Sequence, residues 1–250
     1  MRAAAVIPAW NEAPTVGEVV EAARRARRVG EVIVVDNAST DETALVAAAH
    51  GARVVREPTA GKGEAMRTGV AAARAKVVVF LDADLVGLTP EHVDSLVEPV
   101  QAGLAAMACG LFDRGPLLNP LFLDALPILT GQRALRRELF EGLDPADLKG
   151  YRVEAALNSV AQEQGLSVQA FVCDGLWHRT KEEKYRTPVH GFMAKQAMLA
   201  TAIWTYAGFR LRRVARLAGV DARGEGMDSP DSPGLVTATG VRSRDRAESG

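Results

Sequence analysis

Cysteine and aromatic residues are scarce in this chain of 250 residues. Two cysteines, Cys109 and Cys173, are too few for a disulfide scaffold or for a zinc site built from a cysteine cluster. We therefore expect both thiols to be buried as small apolar side chains. Phe, Trp and Tyr make up only 5% of the residues, so alanine, valine and leucine must build most of the core.

Net charge and long apolar runs are also lacking. The 30 Lys and Arg residues nearly balance the 31 Asp and Glu residues, which gives no basis for binding nucleic acid. No apolar run reaches the roughly 18 residues of a membrane-spanning helix, and residues 1–8 are too short for a signal peptide. We expect a cytoplasmic protein without a nucleic-acid partner.

The first half of the chain alternates between strand-like and helix-like patterns. Short apolar runs predict strands, and apolar residues at helical spacing predict helices between them. The predicted elements are strand 3–7, helix 15–28, strand 31–36, helix 41–50, strand 52–56, helix 63–75 and strand 76–84. The apolar run of the last strand needs cover on both faces, as a central parallel strand does. These repeats predict a doubly wound α/β fold with a mostly parallel sheet flanked by helices.

The second half of the chain is less regular. Its predicted elements are helix 90–101, strand 104–112, helix 150–165, strand 167–173 and a long helix at about 189–218. We expect one domain over 1–220, made of a nucleotide-binding half (1–85), an acceptor half (86–187) and a C-terminal helix (188–220). Residues 221–250 are rich in glycine and charge and lack aromatic residues, which predicts a disordered tail.

Polar residues follow three of the predicted strands at the point where each strand ends. They form the loops 8–12 (PAWNE), 36–41 (DNASTD) and 82–84 (DAD). Open α/β sheets bind ligands at this edge, although such residues are also ordinary helix caps. In the third loop, two carboxylates two residues apart can converge on one Mg²⁺ or Mn²⁺ ion together with diphosphate oxygens.

Four motifs together resemble the family-2 glycosyltransferases. They are VIPAWNE (6–12), VVDNASTDET (34–43), GKGEAMRTG (61–69) and FLDADL (80–85). The resemblance extends over about residues 4–187 and implies the GT-A-type fold of nucleotide-diphospho-sugar transferases. Within the family, the likeness is closest to the polyprenyl-phosphate sugar transferases (dolichyl-phosphate mannose synthase type) and to the glucosyl-3-phosphoglycerate synthases.

The resemblance implies a donor site in the first half of the chain. Its nucleotide-binding residues would be Pro8, Ala9, Asn11, Glu12, Asp36, Gly61, Lys62 and Asp82. Glu12 would meet the ribose hydroxyls and Lys62 would offer a cation near a phosphate, unless Lys62 is an ordinary solvated lysine. Asp82 and Asp84 are catalytic candidates, because Asp82 would lie near the sugar and Asp84 would bind the Mg²⁺ or Mn²⁺ ion.

A sugar and acceptor site is implied in the second half of the chain. Its residues would be Arg114, Gly131, Gln132, Arg133, Glu154 and Arg179. Gly131 and Gln132 would face the sugar from segment 129–140, where similar enzymes have a small residue, a glycine and then a helix. Arg114 and Arg133 are candidate phosphate ligands, although Arg133 could instead lie on a solvated helix face. Glu154, the third catalytic candidate, would bind the sugar, act as a general base, or only favour the start of its helix.

His178 is the candidate second metal ligand beside Asp84. It resembles the histidine that completes the metal site in the phosphoglycerate-dependent relatives. Val86 stands where polyprenyl-phosphate relatives often have a glutamine ligand, which favours the histidine. A carboxylate with an imidazole suits Mn²⁺.

The implied reaction moves a sugar from a UDP- or GDP-sugar to a phosphate-bearing acceptor. That acceptor is either polyprenyl phosphate or a small phosphorylated or hydroxyl compound, and inversion and retention both stay open. Residues 189–216 would contact the inner membrane face, a second copy in a homodimer, or the core.

Two other functions stay open. A sugar nucleotidyltransferase is disfavoured because PAWNEAP stands where that class has Gly-Thr-Arg. A non-catalytic nucleotide-sugar-binding protein is disfavoured by the intact pair of Asp82 and Asp84.

Overall fold

Short apolar strands alternate with amphipathic helices along the computed structural model, which describes residues 2–112, 130–148 and 152–178, with only the backbone of His178. The elements in chain order are β1 (Ala3–Ala9), α1 (Val16–Arg25), β2 (Val29–Asp36), α2 (Thr43–Ala49), β3 (Arg53–Arg56), α3 (Lys62–Ala72), β4 (Val77–Phe80), β5 (Leu85–Val86), α4 (Pro90–Gln101), β6 (Met107–Phe112), β7 (Arg133–Arg136), α5 (Arg137–Glu141), a 3₁₀ turn (Pro145–Leu148), α6 (Arg152–Glu163), β8 (Val168–Cys173) and β9 (Trp177–His178).

The described residues form one large sheet of seven strands in the order β3-β2-β1-β4-β7-β6-β8. All of its strands run parallel except β7, which is antiparallel to both β4 and β6. The apolar strand β4 lies at its centre, between β1 and β7, as its continuous Val/Phe run predicts. The predicted mostly parallel α/β sheet is confirmed.

Each face of the sheet packs against its own layer of helices. Alternate residues of β1 divide between the two cores: Ala5 and Ile7 belong to one, and Ala4 and Val6 to the other. Helices α1, α2 and α4 cover the first face, and α3, α5 and α6 cover the second. Both cores consist mainly of alanine, valine and leucine, which confirms the expectation from the low aromatic content.

The helix expected directly after Gly131 is wrong, because residues 133–136 form a strand. Strands β4 and β6 would each leave a row of backbone groups unpaired between them, and β7 supplies hydrogen bonds to both. Ala134 and Leu135 are fully buried there, and the following helix, α5, begins only at Arg137.

Several element boundaries also differ from the prediction. Helix α2 begins at Thr43 rather than at 41, because the Asp41 carboxylate accepts hydrogen bonds from the backbone N–H (3.0 Å) and the hydroxyl of Thr43 and forms a turn before the helix. Helix α1 ends at Arg25 because Ala26 has extended backbone. Thr15 occupies the capping position of α1, but its hydroxyl donates to Glu12 instead of capping the helix.

Other sequence predictions lie outside the described residues. These are Arg114, Arg179, the helix expected at about 189–218 and the tail 221–250, so the predicted limits of the domain stay predictions. Within the three described ranges, every helix is too short or too polar to cross a bilayer. Cys109 and Cys173 are buried and unpaired, as expected, and burial raises the pKa of the Cys173 thiol to about 11.

Candidate active site

The three polar loops meet at the carboxyl-terminal edge of the sheet. The backbone N–H of Asn37, after β2, donates to the carbonyl of Ala9 at the end of β1 (2.9 Å), and Leu81, after β4, donates to Val6 (3.1 Å). Because parallel strands end at the same edge, residues far apart in the sequence become neighbours there.

The first two loops are joined by side-chain hydrogen bonds. Asn11 has a left-handed backbone (φ 55°), and its side-chain carbonyl accepts from the N–H of Thr40 (2.8 Å). The N–H groups of Asn11 and Glu12 donate to the hydroxyls of Ser39 (3.0 Å) and Thr43 (2.8 Å). Pro8 and Ala9 lie at the end of β1, where the Ala9 side chain packs in the core.

Asp36 and Asn37 are buried at the end of β2. The carboxylate of Asp36 accepts from the N–H of Ser39 (3.1 Å) and lies 3.7 Å from the exposed guanidinium of Arg56. The amide of Asn37 donates to the carbonyls of Glu57 (3.1 Å) and Thr59 (2.6 Å).

The side-chain oxygen Oδ1 of Asn37 accepts from the N–H of Gly61 (2.8 Å). Asn37 therefore fixes the loop that carries Gly61 and Lys62, a role that the sequence analysis missed. Its place directly after Asp36 at a strand end was the available signal.

Gly63 explains the second glycine of the GKG motif by close packing. A Cβ atom at this position would lie 1.5 Å from the carbonyl oxygen of Leu148, at the end of the 3₁₀ turn. No larger residue fits without moving the backbone. The contact sets the start of α3, and with it the position of Lys62.

Lys62 lies between two carboxylates. Its ammonium Nζ is 2.9 Å from Asp82 Oδ1 and 2.9 Å from Glu154 Oε1. Burial lowers the pKa of Lys62, but the charges of Asp82 and Glu154 outweigh burial and hold that pKa well above its ordinary value of 10.5. The lysine therefore stays charged at neutral pH. It is not a solvated loop lysine, because its partners are acidic residues of two other segments.

Asp82 is held from a second side by the turn 130–132. The amide of Gln132 donates to Asp82 Oδ2 (2.7 Å), and the Thr130 hydroxyl donates to Gln132 Oε1 (2.8 Å). A Cβ atom on Gly131 would lie 2.3 Å from Asp82 Oδ2, so any larger residue there would displace the Asp82 carboxylate. Gly131 and Gln132 thus contact the Asp82 carboxylate directly.

Arg133 is fully buried in the centre of the sheet. Its guanidinium donates to the Thr130 carbonyl (Nη2, 2.6 Å; Nε, 3.2 Å), to the Glu154 carbonyl (Nη1, 3.3 Å) and to Asn158 Oδ1 (Nη1, 3.5 Å). This position corrects both expectations for Arg133, a phosphate ligand or a solvated helix face. The guanidinium has no access to an acceptor phosphate because the side chain lies beneath the site.

Glu154 is buried in the first turn of α6, with its side chain 10% exposed. Lys62 engages Oε1, whereas Oε2 has no hydrogen-bond partner among the described residues. The side-chain nitrogen of Asn158, one turn later, is likewise buried without a partner in this part of the chain. Asn158 is not among the predicted site residues, although a polar residue within an apolar helix face is a detectable signal.

Asp84 lies half-buried between β4 and β5. Strand β5 pairs with β9 in antiparallel register, which places the backbone of His178 opposite Leu85, the residue after Asp84. The described side chains form no group of three or more His, Cys, Asp or Glu residues that could hold a metal ion. Backbone pairing therefore brings the two predicted metal ligands into neighbouring positions, and metal binding itself stays a prediction.

Residues 4–144 match the model of glycosyl transferase family 2. The chain belongs to this family. The match covers the three polar loops, the GKG motif and the turn at Gly131, which together form most of the site described above. The family that the four motifs predict is confirmed.

Two curated relatives in the family carry the same name. Glucosyl-3-phosphoglycerate synthase of Mycobacterium tuberculosis is 38% identical over 190 residues, which cover 61% of this chain and 58% of that protein. The synthase of Mycolicibacterium paratuberculosis is 39% identical over 122 residues, 45% of this chain and 37% of that protein. The matched regions thus span 37% and 58% of the length of these relatives.

Solved structures of the Mycobacterium tuberculosis synthase share the fold. One, in complex with Mn²⁺, UDP and phosphoglyceric acid, is 29% identical with a TM-score of 0.68, over 83% of this chain and 78% of that one. Another, in complex with Mg²⁺ and UDP, is 28% identical with a TM-score of 0.67, over 90% and 82%. This likeness confirms the GT-A-type fold.

Proposed function

We propose that the chain is a metal-dependent glycosyltransferase that moves a hexose from a UDP-sugar to a small phosphate-bearing acceptor of the phosphoglycerate type. The observation that carries this proposal is the cluster of Lys62, Asp82, Gln132 and Glu154 beside Asp84 at the carboxyl edge of the sheet. A sugar has several hydroxyls, and these charged and amide groups are the partners that hydroxyls bind.

The donor nucleotide lies over the first two loops in this proposal. Asn11, Glu12 and Asp36 lie in these loops. The N–H groups of Asn11 and Glu12 donate to the hydroxyls of Ser39 and Thr43, and the Asp36 carboxylate accepts from the N–H of Ser39, so these hydrogen bonds join the two loops. A preformed pocket lowers the entropic cost of binding a flexible nucleotide. The UDP in the complexes of the related synthase supports this choice of donor.

The residues near Asp84 fit a divalent cation. Asp84 offers a carboxylate, and the β5–β9 pairing places the backbone of His178 opposite Leu85, the residue after Asp84. Carboxylate oxygens and an imidazole are ligands that Mn²⁺ accepts, and the related synthase is solved with Mn²⁺ and with Mg²⁺. When bound, the ion neutralises the diphosphate and so makes it a better leaving group.

Glu154 and Asp82 orient the sugar in this proposal. Glu154 Oε2 is buried without a partner in residues 2–112, 130–148 and 152–178, and it accepts a hydrogen bond from a sugar hydroxyl. Lys62 holds both carboxylates in position at 2.9 Å, and its one positive charge offsets part of their two negative charges. The three side chains thereby fix the anomeric carbon relative to the acceptor, which lowers the entropic part of the barrier.

The transfer exchanges one bond at the anomeric carbon for another. The acceptor oxygen forms a bond to this carbon, and the bond from the carbon to the diphosphate oxygen breaks with its electron pair leaving on UDP. A hydroxyl acceptor loses its proton to a base or to water, whereas a phosphate oxygen has none to lose. Arg114 stays a predicted phosphate ligand, and Arg179 stays a predicted residue of the sugar and acceptor site.

Donor binding tests this proposal before any turnover is measured. The thermal shift of the full chain is followed with UDP-glucose, GDP-mannose and ADP-glucose, each with and without Mn²⁺. We expect UDP-glucose to raise the Tm most, and only with Mn²⁺, because a ligand of the folded state stabilises it. Asp84→Asn should abolish the part of this Tm increase that depends on Mn²⁺.

Asp94→Asn is the matched control for Asp84→Asn. Asp94 accepts from the backbone of Arg27 and Arg28 at the opposite edge of the sheet, away from the donor loops. A Tm that no sugar nucleotide raises would contradict the donor site, and an unchanged Mn²⁺ effect in Asp84→Asn would contradict the metal site.

A further inference from the structure

Arg133 is a buried cation whose partners, among the described residues, are all neutral. It donates to two backbone carbonyls and one side-chain amide oxygen, and the sulfur of Met107 lies 3.8 Å from Nη1. Burying a charge away from water is costly, and an apolar side chain of similar volume would pack there at lower cost. The role of this buried charge must therefore lie in the segments that the guanidinium joins.

The oxygens that Arg133 binds belong to the two segments that carry the site. Thr130 precedes Gly131 and Gln132, which contact the Asp82 carboxylate. Glu154 begins the face of α6 that meets Lys62. The donors of a planar guanidinium point in fixed directions. Arg133 therefore holds the turn at Thr130 in a fixed position relative to the first turns of α6.

Asn158 connects the Arg133 guanidinium to the buried face of α6 that carries Glu154. Its Oδ1 faces the Arg133 guanidinium, a donor, so its Nδ2 points away and is buried without a partner in the described chain. Glu154 and Asn158 are four residues apart and lie on one face of the helix. Arg133 holds both residues, Glu154 through its backbone carbonyl and Asn158 through its side chain.

We infer that Arg133 is a positioning residue that acts through Glu154. By fixing the start of α6 against the Thr130 turn, it keeps Glu154 Oε1 at Lys62 and presents Oε2 to the sugar. The inference rests on the proposed function for the sugar contact. The link from Arg133 to the Lys62–Glu154 pair stands on the geometry alone.

Two double-mutant cycles test this inference on the full chain. The first measures Tm for Arg133→Met, Lys62→Met and the double variant. Arg133 and Lys62 share no direct contact, so independent effects would add. If Arg133 holds Glu154 within reach of Lys62, the Tm change caused by Lys62→Met should shrink to less than half in the Arg133→Met background. Additive changes would overturn the inference, and this cycle needs no activity.

The second cycle measures kcat and the donor KM with UDP-glucose for Arg133→Met, Glu154→Gln and the double variant. We expect Arg133→Met to lower kcat by about 10- to 100-fold with a smaller change in KM, because Glu154 is misplaced. In the Glu154→Gln background, Arg133→Met should lower kcat little further. If Arg133→Met lowers kcat by the same factor in both backgrounds, the inference is overturned.

Matched variants separate positioning from folding. Arg136→Met changes the exposed arginine of the same strand and should alter neither cycle. Asn158→Leu removes one partner of Arg133 and should lower kcat less than Arg133→Met does, and Arg133→Lys should recover part of the lost kcat. A wild-type chain without turnover would contradict the proposed function, while the Tm cycle would still decide the role of Arg133.

Discussion

Asp82 has both carboxylate oxygens engaged, by Lys62 on one side and by Gln132 on the other. Within the part of the chain that the structure describes, Glu154 has one oxygen engaged and the other without a partner, and we therefore propose separate roles for the two acids. Asp82 is held in place by its two partners, whereas Oε2 of Glu154 is available to accept a hydrogen bond from a ligand. Lys62 is the shared partner, so the electrostatics of the site depend on it first.

Replacing Lys62 with methionine should weaken both folding and function. Two carboxylates would lose their common counter-ion, and we expect the free energy of unfolding to fall by about 1–2 kcal/mol, less than for a fully buried pair because about a quarter of the Lys62 and Asp82 side chains is exposed. Turnover should fall more steeply than stability. Chemical denaturation and UDP release measure the two effects.

Lys76→Met is the control for that variant, because the side chain of Lys76 is exposed. It should leave stability and turnover near those of the wild type. An equal loss in both variants would mean that the ion pairs of Lys62 contribute nothing specific.

Glu57 gives a prediction for the dependence of stability on pH. Its carboxylate accepts hydrogen bonds from the hydroxyl of Thr68 (2.5 Å) and the N–H of Thr59 (2.8 Å), which hold its pKa below the ordinary value of 4.5. A lowered pKa in the folded state stabilises the fold above the unfolded pKa, and this contribution is lost as the pH falls through the folded pKa.

The wild type should therefore have a higher Tm than Glu57→Gln at neutral pH, and the gap should close as the pH falls below about 4. Thermal melts across this range measure it, with the exposed Glu42→Gln as control. A gap that widens in acid would contradict the assignment.

At the scale of elements, the sequence predicts the strands and helices of the first half well. The strands β1 to β4 follow from apolar runs, and Pro90–Gln101 matches its helix prediction in full. Strand β7 could not be predicted in the same way. Its sequence, RALR, has no strand-like alternation, and it becomes a strand because β4 and β6 both need a partner there.

Asn37 joins three loops and gives a prediction at this scale. Asn37→Asp would replace a donor to the Glu57 and Thr59 carbonyls with a carboxylate oxygen that repels them. We expect a loss of about 1–3 kcal/mol in unfolding free energy, together with weaker UDP-sugar binding because the loop before Lys62 is released. Calorimetry with UDP-glucose and denaturant melts measure both.

Gln164→Glu is the matched change from amide to acid at an exposed position. It should change neither quantity. Unaltered donor affinity in a destabilised Asn37→Asp chain would separate this loop from the donor site.

In the whole molecule, the site assembles from segments that the sequence keeps far apart. Lys62 and Glu154 are 92 residues apart, and their contact depends on α3 and α6 covering the same face of the sheet. The motifs predict which residues belong to the site, because each stands at a strand end or a helix start. They do not predict that Lys62 pairs with acids or that Arg133 is buried, since both depend on how the elements pack.

In the proposed reaction, this site transfers a hexose from a UDP-sugar with the help of a divalent cation. The most direct measurement follows UDP and glycosylated product by mass spectrometry, with UDP-glucose, Mn²⁺ and either 3-phosphoglycerate or polyprenyl phosphate. We expect equal amounts of UDP and glycosylated phosphoglycerate. Both products should be lost on chelation, be restored by Mn²⁺, and be absent in Asp84→Asn but present in Asp94→Asn. No product from any acceptor, or turnover that survives both chelation and Asp84→Asn, would contradict the proposed reaction.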